Sequence, residues 1–350
     1  MNSRERVRLA LNHEEPDHVP FDLGGTGLSL IHLTAYKKLR EYLDLPIGEP
    51  RISFMAEQLA VVEEDVADRL QTDVAIVAPQ PPRDFEFVLR DEGAYEAYTD
   101  EWGIGWRKPK EGGFYYDMYI HPLVDAKDLE DFKAFKFPDP VDDRRFENPR
   151  RDAEAATQRD KAVALAGPSS GILELYAWTR GFEQFYVDLA LNHDFLAYVL
   201  DRLVEYKCAF WERALEEVGH LVDVVIEADD MAGQQSLLFS PETYRKIIEP
   251  RHKKLFSSIK QQAPVKLFFH SCGAIRPLIG DLIDTGIDIL NPVQISAVGM
   301  DPKELKQEFG HDLVFWGGGV DTQSVLGTGT PEEVKETELS KTEPPRGVKR

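Results

Sequence analysis

Val265–Gly273 reads "VKLFFHSCG", a nearly unbroken β-forming apolar run that finishes on a histidine, a serine, a cysteine and a glycine. Apolar at successive positions rather than alternating, it suits a parallel strand covered on both faces. Further stretches share that build and end on Gly, Pro, Asp or Asn. They are "HVPFDLGG" (18–25), "TDVAIVAP" (72–79), "AVALAGP" (162–168), "VDVVIEADD" (222–230), "IDILNPV" (287–293) and "LVFWGGGVD" (313–321). Between them run helical patterns such as "DFLAYVLDRLVEYKCAFWERALEEVG" and "PETYRKIIEPRHKKLFSSIKQ", with apolar residues three and four apart. Strands that alternate with helices of this length are joined by crossovers, and crossovers imply parallel pairing.

An open doubly wound sheet and a closed (β/α)8 TIM barrel both satisfy this order. No G-x-G-x-x-G follows any predicted strand, and "GGTG" at 24–27 is too short and wrongly spaced to serve as one. That argues against a dinucleotide-dependent oxidoreductase as well as against the open sheet. Polar residues instead crowd the C-terminal ends of successive strands, where a barrel builds its active site, so the expected fold is the α/β barrel. Seven strands can be counted; either the count has lost one in the long 79–161 interval or the closing eighth is missing. In its place stands "TELSKTEPPRGVKR" (337–350), polar and carrying two adjacent prolines. The expected organisation is one barrel domain over 1–336, followed by a disordered polar tail over 337–350. A hairpin insertion around 85–122 is expected from "AYEAYTDEWGIGWRKP" and "GGFYYDMYIHPL". An unclosed barrel edge would leave room for a homodimer.

Composition narrows the function classes. No apolar run reaches the ~18 residues of a membrane span, and "MNSRERVRLALNHEEPDH" lacks the apolar core of a secretion signal, so a cytoplasmic location is expected. Lys plus Arg number 41 against 62 Asp plus Glu, a formal charge of −21. That field repels phosphate backbones and speaks against a nucleic-acid partner. The two cysteines, Cys208 and Cys272, exclude a disulfide framework and a four-cysteine zinc site within one chain.

Residues two apart on a strand point to the same side, so His270 and Cys272 project together at a strand end and form a candidate metal pair. Gly273 lets the chain turn immediately after them. Cys208 sits at helical spacing from Trp211 and Leu215 and reads as an inert core cysteine. "IEADD" supplies Glu227, Asp229 and Asp230 at the neighbouring strand end, as a third ligand, a general base or a substrate contact; Asp after a strand also commonly caps a helix. Asn291 and Gln294 in "NPVQ" and Asp321 in "GGGVDTQ" offer further polar groups for a small-molecule substrate. Tyr176 reads equally as a pocket-lining substrate contact and as a helix-face core residue. The histidines at 13, 18, 121, 193, 220, 252 and 311 have no partner spacing and are expected in solvated or capping roles.

With these residues in view, the chain resembles the uroporphyrinogen decarboxylase superfamily, which includes the cobalamin-dependent methyltransferases. The resemblance rests on "RERVRLALNHEEPDHVPFD", "RGFEQFYVDLALNHDF", "EADDMAGQQSLLFSPETYRKIIEPRHKKL", "LFFHSCGAIRPLIGDLIDTGIDILNPVQ" and "FWGGGVDTQ", and so covers most of the chain. It implies a (β/α)8 barrel. True uroporphyrinogen decarboxylases bind substrate carboxylates with an arginine-bearing segment after the first strand, whereas "DLGGTG" has no arginine; Gln80 stands near the place of their essential aspartate. The methyltransferase branch is therefore the nearer one. Its His-x-Cys pair and a later cysteine hold zinc, which activates a thiol or similar acceptor for a methyl group carried by a corrinoid protein. His270 and Cys272 match the first two positions and the later cysteine is absent; an acid from 227–230 could replace it. The resemblance thus implies zinc as cofactor and cobalamin through a corrinoid partner, with Asp229 and Asp230 as candidate catalytic acids. A metal-free decarboxylase of a tetrapyrrole or other small acid, as in porphyrin biosynthesis, is the alternative enzyme. An inactive barrel that only docks a corrinoid protein is the alternative outside catalysis.

Overall fold

The computed structural model describes residues 1–342, so the tail expected at 337–350 lies outside the described residues from 343 onward. Two compact units can be distinguished, Met1–Ile226 with Ser258–Val265, and Glu227–Ser257 with the chain from Lys266 onward.

In the first unit Val74–Val77 pairs in parallel with Ala162–Ala166, Val74 opposite Ala162 and Val77 opposite Leu165. Ala162–Ala166 pairs in parallel with Val224–Ala228, Ala164 opposite Val224. Residues 162–165 are buried at every position, which is why their sequence does not alternate. The helix His193–Val218 turns Leu196, Val199, Leu200, Leu203, Phe210 and Trp211 inward at helical spacing. Residues 90–120 form a four-stranded antiparallel sheet in chain order, Arg90–Glu92, Tyr95–Thr99, Gly105–Pro109 and Asp117–Ile120. Across its middle pair Tyr98 stacks on Trp106, whose indole N–H donates to Asp100 at 2.9 Å.

One expected strand is corrected. "HVPFDLGG" (18–25) runs beside Val74–Val77, with the Phe21 carbonyl accepting from Asp73 N–H at 2.8 Å, but it forms no strand. Turn chemistry wins locally. The Asp22 carboxylate accepts from Gly25 N–H and Ser29 Oγ, each at 2.8 Å, and from Thr26 Oγ1 at 3.1 Å, while Gly24 takes φ +79°.

In the second unit Lys266–His270, Ile289–Asn291 and Val314–Phe315 pair in parallel, with His270 opposite Asn291 and Leu290 opposite Phe315. Leu267, Phe268, Phe269, Ile289 and Leu290 are fully buried, as are Leu278, Ile279 and Leu282 of the following crossover. Val224–Ala228 contributes residues to both units, and within each unit the parallel strands follow one another in chain order. A doubly wound sheet reverses direction at a switch point; no reversal occurs among the described strands.

Candidate metal centre

The strand Lys266–His270 ends where its last side chain and that of Cys272 project together, as two-residue spacing requires. Gly273 then takes φ +86°, and a Cβ there would stand 2.6 Å from both the Ala232 and Gly233 carbonyl oxygens. Only glycine lets the chain pass so close to the 232–233 loop, to which Ala274 N–H is bonded at 2.9 Å.

Asp230 completes a group of three. Its Oδ1 accepts from Cys272 N–H at 2.8 Å and lies 3.5 Å from His270 Nε2; its Oδ2 lies 3.3 Å from Cys272 Sγ. One ligand atom from each of the three residues fits within 4.8 Å of the others. Ligand atoms around a tetrahedral zinc stand roughly 3.4–3.6 Å apart; the separation of Asp230 Oδ1 from His270 Nε2 suits such an ion, while the Cys272 sulfur approaches the other oxygen of the same carboxylate. The donor set, one imidazole nitrogen, one thiol sulfur and one carboxylate oxygen, is one that zinc accepts.

The orientation of His270 is fixed from behind. Asn291 Nδ2 donates to the Trp316 carbonyl at 2.7 Å, which turns Asn291 Oδ1 toward His270 Nδ1 at 2.6 Å. Nδ1 must then carry the hydrogen, leaving the Nε2 lone pair on the side of Asp230. Gln294 acts on the adjoining turn, its Oε1 accepting from Gly273 N–H at 2.8 Å. Asn291 and Gln294, expected as substrate contacts, thus have their side-chain oxygens on the 270–273 segment itself.

The remaining acids of "IEADD" take different places. Glu227 is a buried strand residue. The Asp229 carboxylate meets His252 Nε2 at 2.8 Å, with both side chains 1% exposed. His252 Nδ1 in turn meets the Tyr244 hydroxyl at 3.2 Å, and burial pushes the Tyr244 phenol well above its ordinary pKa. This corrects the solvated or capping role expected of His252. The signal was available: His252 lies on the stripe of Ile248, Leu255, Phe256 and Ile259, all buried. Asp321 caps the next helical turn, accepting from Gln323 N–H at 2.8 Å, Ser324 N–H at 3.1 Å and Ser324 Oγ at 2.7 Å.

Tyr176 belongs to the first unit and is completely buried, which makes it a helix-face core residue there. Its hydroxyl donates to Asp188 at 2.5 Å. Asp188 also accepts from Arg180 Nε at 2.8 Å, Asn192 at 2.8 Å and Gln184 at 3.0 Å. Burial alone would raise the Asp188 pKa; the hydrogen bonds from Arg180, Tyr176, Asn192 and Gln184 outweigh it and hold the carboxyl below its ordinary value. Burial and the Asp188 bond together push the Tyr176 phenol up. Cys208 is half-buried in the helix His193–Val218.

Residues 116–342 match the Uroporphyrinogen decarboxylase (URO-D) family. No curated protein matches the sequence. Among solved structures, a methyltransferase from Methanosarcina mazei shares 18% identity over 97% of this chain and 98% of its own, with a TM-score of 0.54. An endo-1,4-beta-xylanase from Penicillium canescens, XylE, shares 14% identity over 56% of each chain, with a TM-score of 0.29. At these identities the first likeness concerns the fold, and the second carries no argument.

Proposed function

From the premise that the chain belongs to the uroporphyrinogen decarboxylase family, we propose that it is a zinc-dependent methyltransferase on a (β/α)8 barrel. It would move a methyl group between a corrinoid carrier, or another methylated donor, and a thiol or folate-type acceptor. The observation that carries this reading is the group Asp230, His270 and Cys272, with His270 Nε2 presented by the Asn291 bond. These three residues would hold the ion. Zinc bound there would keep Cys272 as thiolate and make an acceptor thiol or water easier to deprotonate.

The chain's own groups prepare that state. Cys272 Sγ donates to Asp230 Oδ2 at 3.3 Å; ion binding would displace that proton to solvent and leave thiolate and carboxylate both free to ligate. Asp230 would serve in place of the later cysteine of the methyltransferase branch, and the centre would then mix oxygen, nitrogen and sulfur ligands. The name of the Methanosarcina mazei neighbour agrees with this choice of branch. A cytoplasmic enzyme acting with a corrinoid protein partner follows from the same reading, and no helix among the described residues is long and apolar enough to cross a membrane.

The family name favours a second reading, a metal-free decarboxylase of a tetrapyrrole or small acid. The 20–29 segment weighs against it, for it contains no arginine and its Asp22 carboxylate is occupied by Gly25, Thr26 and Ser29. Zinc content per chain, measured on wild type and Cys272→Ser purified in parallel, separates the two. About one zinc in the wild type, lost in the variant, is the expected result; a zinc-free wild type refutes the methyltransferase reading. Methyl transfer from methylcobalamin to a thiol would then separate an active enzyme from an inactive docking barrel.

A further inference from the structure

The helix Glu249–Gln262 carries a histidine on its inward stripe. The His252 ring lies 5.2 Å from Phe256 at an interplanar angle of 15° and 5.4 Å from Phe269. At 1% exposure it has no contact with solvent to speak of, and both nitrogens have partners within the protein. Nε2 faces the Asp229 carboxylate, an acceptor, and so carries a hydrogen; Nδ1 faces the Tyr244 hydroxyl, which can donate to it. Such a chain is costly to bury unless every member is satisfied, and here an Asp, a His and a Tyr are buried together.

Its location gives it a consequence. Asp229 directly precedes Asp230, and the Asp229 N–H donates to the His270 carbonyl at 2.9 Å. The anchor on the Asp229 side chain therefore bears on two members of the metal group at once. It reaches Asp230 through one peptide unit and His270 through one backbone hydrogen bond. Metal–ligand distances tolerate only about 0.2 Å of error, so the separation of these two strand ends decides whether three ligand atoms meet one ion.

From this arrangement we infer that His252, backed by Tyr244, is a positioning residue for the Asp230–His270–Cys272 centre, acting through Asp229. The inference rests on the metal reading proposed above. It assigns the buried chain a role in ion binding beyond its contribution to folding.

Cobalt(II) titration of the full chain tests it, read from the visible ligand-field and thiolate bands and paired with thermal unfolding. Wild type should take up one cobalt with a thiolate band that Cys272→Ser lacks. His252→Phe fills the space and keeps the ring stacking but removes the donor to Asp229; it should bind cobalt about 10–100-fold more weakly, with shifted bands. His252→Gln, whose amide can still donate to Asp229, should recover most of that loss. If His252→Phe does not fold, Asp229→Leu combined with His252→Leu removes both polar partners together, an exchange that buried sites often tolerate, and carries the same expectation. A folded His252→Phe or double-leucine protein with wild-type cobalt affinity and spectrum overturns the positioning role, whatever its unfolding temperature; so does a His252→Gln protein that recovers nothing. A wild type that binds no cobalt is a different failure, because it overturns the metal reading itself.

Discussion

Asn291→Leu is the substitution that most directly probes how His270 is held. Asn291 is 7% exposed and makes two side-chain bonds, accepting from His270 Nδ1 at 2.6 Å and donating to the Trp316 carbonyl at 2.7 Å. Leucine has the same branched outline, is somewhat larger and has neither polar atom, so the change removes the orientation of the imidazole without opening a cavity. Outer-shell partners of ligating histidines are worth about 10–100-fold in metal affinity, which converts to about 1.4–2.7 kcal/mol. A separate cost falls on folding, since the part-buried Trp316 carbonyl loses the Asn291 donor, a change worth at most about 1–3 kcal/mol. Asn291→Asp splits the two effects. Its carboxylate can still accept from Nδ1, so zinc affinity should stay near the wild-type value, while the lost donor to Trp316 lowers stability. Competition with a chromophoric zinc chelator gives the affinity, and urea unfolding of the metal-free proteins gives the stability. If wild type holds zinc and Asn291→Leu holds it equally tightly, the argument that Asn291 selects Nε2 is wrong.

Two further expectations concern the turn and the first unit. Gly273→Ala should lose at least about 1–2 kcal/mol from the left-handed backbone alone. The approach of 2.6 Å to two carbonyl oxygens adds to this, and unfolding in urea at wild-type stability would contradict it. Asp188 has its folded pKa held below the ordinary aspartate value, so it adds stability above the unfolded pKa that is lost as pH falls through the folded one. Asp188→Asn should therefore unfold more easily at neutral pH, because buried Arg180 loses its anion, and should show a flatter acid limb in a plot of Tm against pH. An acid limb as steep as that of wild type would refute the assignment.

The sequence carried the fold wherever burial left a mark on both faces of a strand. "AVALAGP" and "VKLFFHSCG" contain the strands Ala162–Ala166 and Lys266–His270 because a strand covered on both sides must be apolar at nearly every position. "HVPFDLGG" misled for a local reason. Its apolar start looks like the others, but Asp22 and two glycines offer the backbone a hydrogen-bonded turn in place of a ladder. The long interval after Val77 was legible as aromatic and turn-rich; the pairing of Tyr95–Thr99 with both Arg90–Glu92 and Gly105–Pro109 depends on register, which composition does not encode.

The site divides along the same line between local spacing and tertiary contact. Two-residue spacing on one strand is a local property, and it places His270 and Cys272 side by side before any other strand is known. The choice among Glu227, Asp229 and Asp230 is not local, because alternation sends adjacent side chains to opposite sides and only packing decides which side faces the ligands. The structure sends Asp230 to Cys272 and Asp229 to His252. A histidine on an apolar helical stripe then acquires meaning from its partner: without Asp229 it would be a core residue at a desolvation cost, and beside Asp229 it completes a buried bond next to Asp230. Two neighbouring aspartates thus divide the work by orientation alone, one turned toward the candidate ion and one holding the backbone that carries it.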